Sequence, residues 1–440
     1  MNISILTLFP DLYQEFLRTS LIGRAQERGL LDIKLTNLFD FCKPGQRIDS
    51  PTFGPGAGMI LRPDVVEAAI NQQEALHGRA LRVFFSPQGE KIDQRMLKKM
   101  HDMASERKHL LLFASRYEGV DARVEQEYAD LVLSVGDFVL MGGDLPCMML
   151  LEGLLRYVPG VVGRAESVQA DSFSGAFVDY PEFTQPVNWH GHEVPEVVRS
   201  GNHQAIANWR KDQAAEKTVK KHFNWLRQHE LSSVDKNIAY QHIPAHYAVL
   251  MHGDVLLKDQ NSPGETRVGT SSVTSFDLHD ISRSSLTYGL KNYFIVTPLN
   301  DQQQIVQTLL DFWNMPVGIN YNKHRHQAVS RVRLQNNLDE VIAAITAQEG
   351  QVPILIGTSA RDVEHIQKIS FYDQSEVWQH NRPVLFLFGT AKGIAPHVVD
   401  RCDYLLGPIT GFTDFNHLSV RSAAAIVFDR WLGINIKNMV

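Results

Sequence analysis

The chain has 440 residues, 44% of them hydrophobic and 21% charged, with a formal net charge of −6. That composition suits a globular protein of two or three domains, and the acidic balance does not advertise a nucleic-acid binder, although phosphate affinity is set by local patches. No apolar run reaches bilayer-spanning length, Met1–Phe9 reads as a buried strand without a basic leader, and Cys42, Cys147 and Cys402 lie far apart with no Cys-x-x-Cys pair; the expectation is a cytoplasmic protein with no membrane partner, no disulfide framework and no structural zinc.

In chain order, a first strand is followed by a helix expected from Asp11 to Gly29, and then by the glycine-rich loop Gly54-Pro-Gly-Ala-Gly58. Val83-Phe-Phe-Ser-Pro-Gln-Gly89 and Leu111-Leu-Phe-Ala-Ser-Arg-Tyr-Glu-Gly119 each run from an apolar strand into a loop of small residues. Asp130-Leu-Val-Leu-Ser134 does the same, leading through Ser134-Val-Gly-Asp-Phe-Val-Leu-Met-Gly-Gly-Asp-Leu-Pro146 into an apolar helix, Cys147–Arg156. Ligands of open α/β sheets sit at the carboxyl ends of strands, so three such ends point to one pocket whose free backbone groups can grip a flat heterocycle. Each alone also reads as an ordinary strand-to-helix turn. Residues 164–175 are small and polar and suit a connector, and about 190–232 are mainly helical. Within them Trp209–Arg227 is locally basic, with Lys217, Lys220 and Lys221 on one side of a helix; a solvated face explains this as readily as an RNA contact. After a linker at Tyr240–Ala245, strands are expected at Tyr247–Met251, Tyr293–Thr297, Pro353–Gly357, Val384–Gly389 and Tyr404–Leu406. The division expected is 1–163, 164–245 and 246–440.

The ordered series Thr7-Leu-Phe-Pro10, Gly54–Met59, Ser86-Pro-Gln-Gly89, Arg116-Tyr-Glu-Gly119, Val135–Leu140, Arg156-Tyr-Val-Pro-Gly160, Asp171-Ser-Phe173, Pro195–His203 and Trp209-Arg210 resembles the bacterial tRNA (guanine-N1)-methyltransferases, from Met1 to about Glu230. The resemblance implies an α/β parallel-sheet domain tied in a trefoil knot (the SPOUT class), a small helical tRNA-binding domain, and a homodimer in which Asp171 reaches the cofactor held by the other subunit. It implies methyl transfer from S-adenosylmethionine to N1 of the guanosine 3′ of the anticodon, at position 37. Asp171 is then the base and Arg156 the electrostatic partner of O6 or a phosphate. Read without the resemblance, Asp171 could cap a helix and Arg156 could complement a helix dipole.

By the same resemblance the cofactor site comprises Pro87, Ser115, Tyr117, Glu118, Gly119, Ser134, Val135, Gly136, Asp137, Phe138, Val139, Leu140, Gly142, Gly143 and Pro146. Arg210, Lys217, Lys220 and Lys221 are the tRNA contacts, and magnesium is an assistant with no ligands to name. The sequence departs from the family pattern at Ser115, where a glycine is usual and a serine loses freedom at positive φ. It also departs at Pro55 and at Asp49-Ser50, and an acidic residue common between Ser174 and Asp179 is missing.

In the last part, Leu387-Phe-Gly-Thr-Ala-Lys-Gly393, Leu406-Gly-Pro-Ile409 and Asn416–Ile426 repeat the three knot motifs. Asp277-Leu-His-Asp-Ile-Ser-Arg283 followed by Tyr288-Gly289 is similar to a motif of ribose-methylating relatives, with Asp277 where asparagine is usual. This part resembles a second α/β-knot RNA methyltransferase domain, with Arg283, Gly389, Gly393, Ile409 and Leu418 as candidate site residues. Arg283 reads equally as a salt-bridge partner of Asp277 or Asp280. A Gly-x-Gly-x-x-Gly after the first strand, a phosphate loop and His-Glu-x-x-His are all missing from the sequence, and Lys323-His-Arg-His326 reads as basic surface. The rival class is a non-catalytic RNA-binding or assembly protein built on two cofactor-binding knots.

Overall fold

The structure, a computed structural model, describes residues 1–55, 58–163, 171–260, 262, 264–358 and 365–434. Positions 56 and 57 of the glycine-rich loop and 164–170 of the expected connector lie outside the described residues. By internal contacts the chain divides into two units, Met1–Gly175 and Ala176–Val440.

In the first unit the strands are β1 (Asn2–Thr7), β2 (Asp32–Asn37), β3 (Asp49–Pro51), β4 (Met59–Leu61), β5 (Leu81–Lys91), β6 (His109–Phe113) and β7 (Leu131–Ser134). Five form a parallel sheet in the order β2-β1-β6-β5-β7, while β3 and β4 make a separate antiparallel hairpin. Central β6 is buried along its whole length, as a parallel strand covered on both faces must be. The expected helix over Asp11–Gly29 is in three pieces: a 3₁₀ turn at Pro10–Tyr13, α1 (Gln14–Arg18) and α2 (Ser20–Glu27). Thr19 is extended and Ser20 is left-handed at φ 53°, and Gly23 passes so close to the end of α1 that a Cβ there would lie 2.1 Å from the Arg18 carbonyl oxygen. Among the described residues the unit's further α-helices are α3 (Pro63–His77), α4 (Gln94–Arg107), α5 (Ala122–Tyr128) and α6 (Asp144–Leu155). Proline begins α3, and the Asp93 and Asp121 carboxylates cap α4 and α5.

The second unit opens with a two-residue hairpin, β8 (Asn188–Trp189) and β9 (His192–Glu193), and α7 (His203–Leu226). Its remaining strands are β10 (His246–Met251), β11 (Val255–Lys258), β12 (Thr266–Gly269), β13 (Asn292–Val296), β14 (Val332–Gln335), β15 (Ile354–Thr358), β16 (Lys368–Ile369), β17 (Val384–Gly389) and β18 (Tyr404–Leu406). Seven of them form a parallel sheet, β14-β13-β10-β17-β15-β18-β16, and β11–β12 is a hairpin. Helices α8 (Ser275–Thr287) and α9 (Val420–Leu432) pack together. The apolar stripe of α7, Val219, Phe223 and Leu226, shares one buried cluster with Ala248, Trp378 and Phe386, because an amphipathic helix must bury that stripe somewhere. Arg227 then donates to the carbonyls of Asp429, Arg430 and Gly433 at 2.7, 2.5 and 2.9 Å, satisfying the open end of α9.

At the start of β10, buried His246 donates from Nδ1 to the Pro244 carbonyl at 2.7 Å. Its Nε2 accepts from the indole N–H groups of Trp378 and Trp431 at 3.2 and 3.0 Å. Burial pushes its pKa from 6.5 down to about 4.

Candidate active site

The carboxyl ends of β6, β5 and β7, neighbours in the first sheet, surround a cleft of about 370 Å³. The three strand ends singled out in the sequence therefore meet. Of the expected residues, Pro87, Ser115, Tyr117, Glu118, Gly119, Ser134, Val135, Phe138, Val139, Leu140, Gly142, Gly143 and Pro146 line it. Gly136 and Asp137 do not; Asp137 turns to an ion pair with Lys91. Val120, Ala122 and Glu125 also line the cleft and lie outside the three segments singled out in the sequence. Glu125 stands on α5, away from any strand end, so no motif reveals it.

Close backbone approaches shape this cleft. Leu133 pairs with both Phe85 and Glu90, so residues 86–89 loop out of β5. A Cβ on Gly89 would sit 2.6 Å from the Leu133 backbone, which is why glycine closes that loop. The Gly143 amide donates to the Ser115 carbonyl at 2.7 Å, and a Cβ on Gly143 would lie 2.9 Å from the Ser115 nitrogen. Positive φ falls on Tyr117 at 60° and Gly119 at 107°, not on Ser115. The expected conformational cost of Ser115 is thus absent, since its backbone is in a region that any residue adopts.

Below the turns, Asp144 is only 2% exposed and binds three partners. Its carboxylate takes the Arg116 guanidinium at 2.6 Å, the Thr7 hydroxyl at 2.6 Å and the Tyr13 hydroxyl at 3.0 Å. Burial, then the neighbouring Cys147 and Asp144, push the Tyr13 phenol well above its ordinary range. This network ties the ends of β1 and β6 to the start of α6, fixing the cleft wall. The described lining holds two acidic residues, Glu118 and Glu125, and no lysine or arginine. Backbone cradled by glycines and a negative lining fit S-adenosylmethionine, a flat adenine joined to a cationic sulfonium.

Arg156, the residue closing α6, pairs with the carboxylate of Asp171. Among the described residues Asp171 caps no helix; its carbonyl accepts the Ser174 amide at 3.2 Å in a turn, and no helix follows it. Arg156 does stand at the carboxyl end of α6, as the dipole reading expects. Neither residue lines the cleft at the ends of β5, β6 and β7.

On α7, Lys217 donates to the Asp179 carbonyl at 3.3 Å, Lys220 pairs with Glu216 at 2.8 Å, and Lys221 is exposed. Arg210 lies 4.5 Å over the Tyr180 ring.

In the second unit, Gly389 ends β17, where a Cβ would meet the Ile394 nitrogen at 2.5 Å. Beyond it the chain turns with Ala391 at φ 54° and Gly393 at 102°, and the Gly393 amide donates to the Thr390 carbonyl at 2.9 Å. This reproduces the first unit's turn, where the Gly119 amide donates to the Arg116 carbonyl at 3.0 Å. Both turns also bond to a hairpin, through Met59 and Leu61 in one unit and Leu256 in the other. Ile409 is partly buried beyond β18, and Leu418 is exposed before α9. Arg283 is exposed on α8 and pairs with neither aspartate; Arg421 takes Asp277 at 3.7 Å and Asp280 at 3.4 Å instead. The salt-bridge alternative for Arg283 is overturned, because α9 brings its own arginine to those acids.

Residues 1–228 match the family described as tRNA (Guanine-1)-methyltransferase TrmD. A tRNA (guanine-N(1)-)-methyltransferase of Nitratidesulfovibrio vulgaris is 37% identical over 439 residues, covering 98% of this chain and 99% of that protein. The chain belongs to the tRNA (guanine-1)-methyltransferase family. A family member of the same name from Oleidesulfovibrio alaskensis is 36% identical over 98% of this chain and 99% of its own length. Another, from Deinococcus deserti, is 43% identical over 52% of this chain and 81% of its length. Residues 245–433 match the family described as SAM-dependent RNA methyltransferase. Among the described residues no helix is long and apolar enough to cross a membrane, and no three His, Cys, Asp or Glu side chains gather as a metal site.

Proposed function

We propose that the chain methylates N1 of the guanosine immediately 3′ of the anticodon, at position 37 of tRNA, with S-adenosylmethionine seated in the cleft at the ends of β5, β6 and β7. The observation that carries this reading is that cleft, negative, glycine-cradled and free of cationic side chains, in a chain of this family. S-adenosylmethionine supplies a methyl group on an electrophilic sulfonium. Neutral guanine bears a proton on N1, so the Asp171 carboxylate accepts it as N1 attacks, while Arg156 donates to O6, where charge builds. The Arg156–Asp171 ion pair holds the two groups adjacent until a base displaces one from the other.

Asp171 stands apart from the cleft of its own chain, which supports a homodimer in which it serves the partner's cofactor. Phe138, Val139, Met141, Leu145 and Met149, large apolar side chains left exposed around α6, support the same pairing. We propose the trefoil knot as the path that brings the three cleft turns together. Residues 1–163, 164–245 and 246–440 serve as catalytic, tRNA-holding and second methyltransferase parts, with Arg210, Lys217, Lys220 and Lys221 meeting phosphates. In the last part the Gly389–Gly393 turn holds a second S-adenosylmethionine, with Ile409 and Leu418 beside it and Arg283 facing RNA. No residue is assigned to magnesium, and the protein works in the cytoplasm. Asp171→Ala should abolish methyl transfer while leaving S-adenosylmethionine affinity within about twofold; loss of cofactor binding in that variant would make Asp171 structural.

A further inference from the structure

We propose that a second cleft in the first unit, beside Arg156, is a subsite for a nucleotide flanking the methylated base, with Lys98 as its phosphate contact. The proposal rests on the RNA-methylating reading above. The cleft has a volume of about 440 Å³, within the range of small-ligand sites. Gln94, Arg95 and Lys98 of α4 form one wall, and Arg156, Tyr157 and Phe173 line the rest.

Among the described residues the lining carries three cationic side chains and no carboxylate, in a chain whose net charge is −6. The cofactor cleft is its electrostatic opposite, with two carboxylates and no Lys or Arg. One cleft therefore suits a cationic sulfonium and the other an anionic phosphate.

The cations differ in their commitments. Arg95 pairs with Asp93 at 3.2 Å and Arg156 with Asp171. Lys98 is exposed and, among the described residues, makes no ion pair or side-chain hydrogen bond, so its ammonium donors are available. Lys98 stands one helical turn after Gln94 and shares its face. Gln94 in turn donates to the Tyr157 hydroxyl at 2.7 Å, which fixes the orientation of that ring. Tyr157 and exposed Phe173 offer aromatic surfaces on which an unstacked base can rest. Arg156 belongs both to this cleft and to the ion pair with Asp171. A strand laid through the cleft thus places the next base beside that pair.

The test compares the full chain with Lys98→Ala, Lys98→Arg and Lys98→Glu, measuring tRNA affinity by filter binding across salt concentrations and steady-state methylation. For Lys98→Ala we expect KM for tRNA to rise about fivefold with kcat within about twofold, and the log–log salt slope to shrink by about 0.7, the value of one single-strand phosphate contact. Lys98→Arg should restore both, Lys98→Glu should exceed Lys98→Ala, and S-adenosylmethionine affinity should be unchanged in all three. Wild-type KM and salt slope in both Lys98→Ala and Lys98→Glu would overturn the subsite, as would a parallel loss of cofactor affinity. If the wild-type chain made no 1-methylguanosine, the functional reading would fail, while the filter-binding slopes would still decide the role of Lys98.

Discussion

The setting of His246 makes a quantitative prediction about pH. Its Nε2 accepts two indole N–H groups, so adding a proton there would set a donor against two donors. In the folded protein the imidazole stays neutral down to about pH 4, whereas in the unfolded chain it protonates near its ordinary 6.5. Because its folded pKa is depressed, the unfolded state binds the extra proton, and stability is lost as pH falls from about 6.5 towards about 4. From 6.5 to pH 5 is 1.5 units, which at ~1.36 kcal/mol per unit costs ~2 kcal/mol. Burial also pushes His252 down to about 4, so the whole-protein slope is steeper than one histidine explains. His246→Gln keeps an acceptor for the indoles and removes the titration. All six tryptophans (Trp189, Trp209, Trp225, Trp313, Trp378 and Trp431) lie in the second unit, so indole fluorescence in the intact chain follows that unit during urea unfolding. The stability difference between pH 7 and pH 5 should be smaller in His246→Gln by ~2 kcal/mol. Equal differences in the two proteins, or imidazole nitrogen shifts showing His246 titrating near 6.5, would refute the reasoning.

Three further changes test the geometry of the first unit. Gly89→Ala puts a Cβ against the Leu133 backbone and should cost ~1–3 kcal/mol and at least tenfold in S-adenosylmethionine affinity by calorimetry, whereas Gly78→Ala, away from the cleft, should leave that affinity unchanged. Ser115→Gly should give no gain in cofactor affinity and should destabilise slightly in thermal melts, since no positive φ is relieved there; a gain of tenfold would contradict the backbone assignment. Asp144→Asn strands the Arg116 guanidinium and should cost about 3 kcal/mol in chemical denaturation, and a change below about 0.5 kcal/mol would show the network to be unimportant.

The strand ends that build the cleft were legible because apolar runs ending in glycine and small residues are local signals, and Val384–Gly389 and Tyr404–Leu406 match β17 and β18 in both bounds. The edge strands β2, β14 and β16 were not, although β7, also at a sheet edge, was. In β2, Asp-Ile-Lys-Leu-Thr-Asn alternates polar and apolar residues, so no continuous apolar run marks it. The break at Thr19 was hidden because the apolar spacing of a helix continues across it, while the close approach of Gly23 to Arg18 that accompanies it is a contact between two helices. The Asp144 network was equally invisible, since Thr7 and Tyr13 stand 137 and 131 residues away along the chain. The cost expected of Ser115 came from a glycine preference; the structure moves the unusual conformation two residues on, to Tyr117. Glu125 offered no signal at all, being one of two glutamates on a short helix.

The most direct measurement is methyl transfer from labelled S-adenosylmethionine to unmodified tRNA by the intact chain, with nucleoside analysis of the product. The expected product is 1-methylguanosine at the position 3′ of the anticodon, lost in Asp171→Ala. No incorporation into any tRNA, or a methylated nucleoside other than 1-methylguanosine that persists in Asp171→Ala, would contradict it.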